Sequence, residues 1–252
     1  VAGPIVRHNE TLPQFAAARS SETDYLKLSK GLTWFSIGLF KKVVIADTLN
    51  LLTKVGLSQV EQLNTLDAWI TSVSYTFQIY FDFSGYTDMA CGAALMFGIV
   101  LPINFRSPLK ARSLIDYWSR WHITLTRTIT EYIYTPFVRY LLRPTTSSLL
   151  IAVVVSMTIA GVWHGAGWTF VLFGFLHGIG LTINHLWRRT GRKIPTLISW
   201  LLTINFVNIC LVFFSASSLE QSYVIISRMF FDIRIGSTSL FQNYMAEDLI
   251  KI

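Results

Sequence analysis

The sequence predicts an all-α fold: a polytopic bundle of transmembrane helices with interfacial or re-entrant helices between them. Three observations predict it. Of 252 residues only 14% are charged, against 52% hydrophobic and 14% aromatic, where soluble domains carry about a quarter charged. That is too little charge to cover the water-facing surface such a core requires. The apolar residues arrive in long runs without Asp, Glu, Lys or Arg. The basic excess, a net charge of +7, is clustered between those runs, which suits anionic headgroups and cytoplasmic loops better than nucleic acid. The expected partner is therefore a lipid bilayer and no nucleic acid. Disordered and collagen-like chains are excluded by the same composition.

Residues 1–252 read as a single membrane-embedded unit. The opening VAGPIVRH has no Met, no basic n-region and no cleavage site, so the sequence is expected to be a piece of a longer chain. Residues 31–52 are apolar but carry Lys41 and Lys42 centrally, which favours an interfacial or re-entrant helix over a clean span. Ala68 to Phe81 and Met89 to Phe105 are separated by Asp82 and Asp88, which predicts two shorter or tilted spans meeting at a polar elbow. Residues 113–135 begin with a Ser113-x-x-Asp116 capping box and end before Pro136, as one amphipathic helix should. At about 100° per residue, Asp116, Arg120, Arg127 and Glu131 fall on one face, with Leu114, Trp118, Trp121, Leu125, Ile129 and Tyr132 opposite. His122 falls beside the apolar stripe.

Residues 144–187 hold no charge at all, about twice the ~20 residues of one crossing, and read as a helical hairpin broken at Gly165-Ala166-Gly167. Gly161/Gly165 and Gly174/Gly178 have the small-xxx-small spacing that lets helix backbones approach in lipid. Residues 194–219 are long enough for one more transmembrane helix. The hairpin returns to the side it left. Its flanks are Arg139 and Arg143 at one end and Arg188, Arg189, Arg192 and Lys193 at the other, so the positive-inside rule makes that side cytoplasmic, together with the basic segment Arg106 to Arg127.

Histidine is the best available catalytic side chain, because the sequence has no G-x-S-x-G elbow, P-loop, H-E-x-x-H or dinucleotide fingerprint. His122, His164, His177 and His185 lie in or beside apolar helices, where an ionisable group faces a cavity, a partner or a pathway, or is a structural histidine satisfied by hydrogen bonds. His164, between Trp163 and the glycine break, sits where a base can meet a small substrate. His177 and His185 are eight residues apart with no carboxylate or Cys beside them, and Cys91 and Cys210 are isolated, so no metal site or disulfide is expected. Asp82 and Asp88 read as a capped helix junction, or less readily as a polar relay. Arg106, Lys110 and Arg112 fit either a phosphorylated donor such as coenzyme A or simply lipid headgroups.

VAGPIVRH, GLFKKVVIAD, YTFQIYFDFSGYTDMA, LPINFRSP, IDYWSRWHITLTR and GVWHGAGWTFVLFGFLHG resemble, in this order, the membrane-bound O-acyltransferase (MBOAT) family. The resemblance covers residues 1 to about 215 and is greatest to the bacterial branch that O-acetylates alginate and other exported polysaccharides. It implies that several N-terminal spans and at least one C-terminal span lie outside the sequence. It implies that His164, of the VWHG motif, is the catalytic residue and His122, of RWH, the second active-site polar group. A neutral imidazole can take the proton of an attacking hydroxyl and return one to the departing thiolate. The resemblance further implies no bound cofactor, acetyl-CoA or another acyl thioester as donor substrate, and an extracytoplasmic partner acetyltransferase or the exported polysaccharide as acceptor. The expected location is the cytoplasmic (inner) membrane of a bacterium, crossed several times. D-alanyl transfer from a carrier protein toward teichoic acid would use the same two histidines. A transporter or permease, or a non-catalytic scaffold for polysaccharide export, remain the alternatives from other classes.

Overall fold

A computed structural model describes residues 3–18, 24–141, 144–235 and 241, and among them all regular structure is helical. Arg143, one of the basic residues flanking the hairpin, lies outside the described residues. After α1 (His8–Ala18) comes a nearly continuous rod: α2 (Tyr25–Phe40), a π-helical turn (Lys41–Ala46) and α3 (Asp47–Ser58). The rod packs lengthwise against α4 (Thr65–Met96), a helix of 32 residues.

Ala68 to Phe81 and Met89 to Met96, expected in two spans meeting at a polar elbow, are thus one helix with Asp82 and Asp88 inside it, and residues 97–105 are not helical. The reason is charge matching across the pair of elements. Lys41 Nζ meets Asp88 Oδ2 at 2.5 Å, and Lys42 Nζ meets Asp82 Oδ1 at 2.9 Å and Asp47 Oδ1 at 2.7 Å. A wide π turn changes the angular phase of the helix locally, and here it carries both lysines against α4. Glycines of α4 serve as its contact surface with α2. A Cβ on Gly85 would come within 2.7 Å of the Gly38 carbonyl oxygen, and one on Gly92 within 2.5 Å of the Gly31 carbonyl oxygen, so α2 and α4 run antiparallel with their backbones touching.

This network gives the first expected outcome. Lys42→Met keeps the stem but leaves Asp47 and Asp82 without their shared cation. The groups are about 39% and 46% exposed, so water screens the pairs and the loss is about 1 kcal/mol. The melting temperature of the purified protein should fall by a few degrees. Adding Asp82→Asn should recover part of it, and full additivity of the two changes would show that the pair is not coupled.

Residues 113–135 do not form one helix. α5 (Leu114–Trp118) ends at Ser119, and a new helix starts at Ile123 and runs as α6 (Ile123–Ile129), a π turn (Thr130–Tyr134) and α7 (Thr135–Tyr140). The break is made by the segment before α5. Asn104 draws off the amides of Ile123 and Thr124 (3.0 and 3.1 Å), and Arg106 N–H donates to the Arg120 carbonyl at 3.0 Å. Pro136 does not stop the second helix, because the π turn before it relieves the clash of the ring with the preceding turn. The residues of the charged face are paired. Arg120 binds Asp116, Arg127 binds Glu10, and Glu131 binds Arg7. The Arg127 guanidinium holds the Glu10 carboxyl below the usual carboxylate range.

Among the described residues, three helices are long and apolar enough to cross a membrane: α8 (Thr146–His164), α9 (Trp168–Arg189) and α10 (Thr196–Ser215). α8 starts at a Thr145/Ser148 capping box, and α10 ends before Ser218 caps the separate α11 (Leu219–Phe230). α8 and α9 pack antiparallel, with Gly161 against Gly174. α10 ties this hairpin to α4 through Asn208, whose Oδ1 accepts from Thr76 Oγ1 at 2.6 Å and whose Nδ2 donates to Ser72 Oγ at 3.3 Å. Between the two halves, Tyr117, Trp118 and Trp121 of the α5 region pack on Met157, Phe173 and Val207 as the largest buried cluster.

Candidate active site

Where these two halves meet lies a cavity of about 480 Å3. Its walls include Lys42, Asp82 and Phe83 from the α2–α4 side, Trp118 and His122 from the α5–α6 region, and His164 and Phe214 from α8 and α10. His122 and His164, separated by 42 positions, therefore border one space. Most of the remaining wall is aromatic or aliphatic. An apolar cavity with a few polar groups converging on it is the form taken by small-molecule sites.

His164 is the last residue of α8, followed by Gly165 in extended conformation. Its ring has Phe214 edge-on at 5.1 Å and Phe173 at 6.2 Å. A Cβ on Gly165 would lie 2.4 Å from the Phe170 ring, so the glycine lets that ring pack against the turn into α9. His122 is held differently. It has a left-handed backbone, φ 43°, which is rare for a side chain of this size. The strained residue sits between α5 and α6 because Asn104 fixes the next two amides. Phe83 lies edge-on to its ring at 4.7 Å, and Nδ1 is 3.1 Å from Asn104 Oδ1. Burial, followed by the neighbouring His164, pushes the His122 imidazole down to about 4, so it is neutral at ordinary pH.

The other two candidate histidines stand elsewhere. His177 is buried in the cluster under Trp118, and its Nδ1 accepts the indole N–H of Trp118 at 3.2 Å. It is a structural acceptor that orients one wall of the cavity. His185 borders a separate cavity of about 380 Å3 beside α6, α8 and α9. Among the described residues no cluster of His, Cys, Asp or Glu is arranged to hold a metal. Arg106, Lys110 and Arg112 do not line the histidine cavity. The Arg106 N–H donates to the Arg120 carbonyl, the Arg106 carbonyl accepts from the Arg120 guanidinium, and the Arg112 amide donates to Asp116.

Sequence reasoning did not place Lys42, Asp82 or Asn104 at the site, although it weighed Asp82 as part of a polar relay. For the first two a signal was present: two adjacent lysines in one apolar segment and two aspartates in another balance each other in number, and charges in apolar segments seek partners. For Asn104 none was, since its contacts with residues 122–124 depend on a loop conformation that local pattern does not encode.

The sequence pattern of the MBOAT, membrane-bound O-acyltransferase family, matches residues 1–226. The chain is 45% identical over 235 residues to a peptidoglycan O-acetyltransferase of Helicobacter pylori, covering 91% of this chain and 44% of that protein. It is 35% identical over 231 residues to a probable alginate O-acetylase of Pseudomonas aeruginosa, covering 91% and 43%. It is 30% identical over 205 residues to a teichoic acid D-alanyltransferase of Streptococcus thermophilus, covering 77% and 49%. The chain thus spans about half the length of the curated relatives it matches, or slightly less. With the family pattern running through α4, the α5–α6 break and the α8–α9 hairpin, the chain belongs to the membrane-bound O-acyltransferase family.

Proposed function

We propose that the full-length protein moves an acetyl group from cytoplasmic acetyl-CoA toward an exported polysaccharide, or toward an extracytoplasmic partner acetyltransferase that completes the transfer. The observation that carries this reading is the pair of imidazoles, from elements distant in sequence, bordering one apolar cavity of about 480 Å3. An apolar space of that kind can align donor with acceptor, and alignment can contribute more to rate than the proton transfer itself.

In this mechanism His164 is the general base. The acceptor hydroxyl oxygen attacks the thioester carbonyl carbon while its proton passes to the His164 imidazole. The tetrahedral intermediate then collapses, the C–S bond breaks, and the imidazolium returns the proton to the departing thiolate. His122 assists that proton transfer or orients the thioester. Peptidoglycan is the favoured polymer, because the relative named for it shares 45% of aligned residues against 35% for the alginate one. The setting is a bacterial cytoplasmic membrane crossed several times. α8, α9 and α10 support it, as do Arg188 and Arg189 at the end of α9.

D-alanyl transfer from a carrier protein is the second reading, favoured by the 30% identity to a teichoic acid D-alanyltransferase. The donor separates the two. Membranes holding the full-length parent protein should transfer radiolabelled acetyl from acetyl-CoA, and the label should not come from D-alanyl carrier protein. Transfer from the carrier alone would replace the first reading with the second. No transfer from either donor would reject both.

A further inference from the structure

The side-chain oxygen of Asn104 receives three groups: the backbone N–H of Thr124 at 3.1 Å, the Thr124 hydroxyl at 2.9 Å, and Nδ1 of His122 at 3.1 Å. A backbone N–H only donates, so the atom facing Thr124 must be the amide oxygen and the amide cannot be reversed. The Thr124 hydroxyl has its direction set as well, since its oxygen already accepts the Ile5 N–H at 3.0 Å and its proton goes to Asn104. An oxygen that only accepts leaves one assignment for the third group. The Asn104 nitrogen has no partner although the residue is 2% exposed, so the amide is held by its oxygen alone.

We propose that Asn104 is a positioning residue that locks neutral His122 as the Nδ1–H tautomer, leaving Nε2 as a hydrogen-bond acceptor toward the histidine cavity. His122 lines that cavity and Asn104 does not, so Nδ1 faces away from it and Nε2 is the ring nitrogen available to a bound molecule. This deepens the acyltransferase reading and rests on it for the substrate. Of the two roles left to His122, it selects one. An acceptor nitrogen does not donate to a thioester carbonyl, but it does hold the O–H or S–H of a reacting group. No bond is made or broken at His122 in this role, and protonation of Nε2 abolishes it.

The charged and titratable groups facing His122 are Lys42 from the rod, Asp82 and Tyr86 from α4, and His164 from α8. Lys42 and Asp82 are paired with each other. A carboxylate at position 104 would therefore be a new charge acting on the imidazole, while accepting the same three donors.

Two measurements on the full-length protein test the proposal. Solid-state NMR of 15N-histidine-labelled protein, with His122 assigned by its loss in His122→Gln, should show Nδ1 protonated and Nε2 bare at neutral pH. In Asn104→Asp the acid limb of kcat/KM should move up by about one to three pH units, the usual effect of an adjacent opposite charge. That shift should be absent when His122→Gln is also present. A purely structural Asn104 would change rate or stability without moving the limb. Protonation at Nε2 in the parent, or an unmoved limb in a folded Asn104→Asp, would overturn the proposal. The NMR result holds whether or not acyl transfer is detected, so failure of the acyltransferase reading is told apart from failure of this one.

Discussion

Acetyl transfer is expected to be lost in His164→Ala, with the protein still folded and inserted. The imidazole is half-buried at the end of α8, its aromatic neighbours Trp163, Phe173 and Phe214 come from three helices, and none of them hydrogen-bonds to it. Truncation therefore removes a ring from the cavity wall without orphaning a buried polar partner, which is the costly kind of loss. The expected effect on transfer is the full general-base contribution, about 10²- to 10⁴-fold, or about 3–5 kcal/mol of transition-state stabilisation. His164→Gln, which keeps a hydrogen-bonding side chain but has no basic nitrogen, should be nearly as inactive. Because residues that act as one unit are not additive, His164→Ala/His122→Ala should lose little beyond His164→Ala alone. Radiolabelled acetyl transfer from acetyl-CoA in membranes of the full-length parent reads all of these. Equal transfer by His164→Ala and parent, at equal membrane levels, removes His164 from the mechanism.

The fold class was legible because its cause is local. A run such as Ile194 to Leu219, with no charge to hydrate, has few ways to satisfy its backbone in lipid other than a helix. What the pattern concealed is pairwise and distant. Lys41 and Lys42, taken alone, argued only against a clean span, and Asp82 and Asp88, taken alone, looked like a break. The break was misjudged because the partners of Asp82 and Asp88 lie about forty residues away. The break in residues 113–135 was hidden in the same way: periodicity there is that of a continuous helix, and it is the loop residue Asn104 that captures the amides needed to continue it. The two histidines stood out as polar rings in apolar surroundings and through the motifs around them. Their common cavity depends on how α4, α8 and α10 pack, which no single segment specifies.

That dependence on packing makes Gly161 the most sensitive structural position in the hairpin, and Gly161→Val is expected to damage both stability and transfer. A Cβ at Gly161 would lie 2.2 Å from the Phe170 carbonyl oxygen and 3.0 Å from the Gly174 Cα, and one at Gly174 would lie 2.3 Å from the Met157 carbonyl oxygen. These contacts are with backbone, which no rotamer change can move aside. α8 and α9 must separate, at a cost of about 1–3 kcal/mol for overpacking, together with the close backbone contacts on which helix association in lipid depends. His164 is three residues further along α8, so the same displacement shifts the imidazole relative to His122, and a misplacement of about 1 Å can cost about 10²-fold in rate. Val162→Leu provides the comparison, since Val162 is half-exposed beside the same contact and should leave both properties unchanged. Thermal unfolding in detergent and acetyl transfer at a temperature where every variant is folded separate the two effects. Gly161→Val should melt lower than Gly161→Ala, which should melt lower than the parent, and the rate should fall in the same order even when all three are fully folded. A valine variant with the parent's melting temperature and rate would show that α8 and α9 do not need this contact, and that the position of His164 is set from the α10 side, through Phe214, alone.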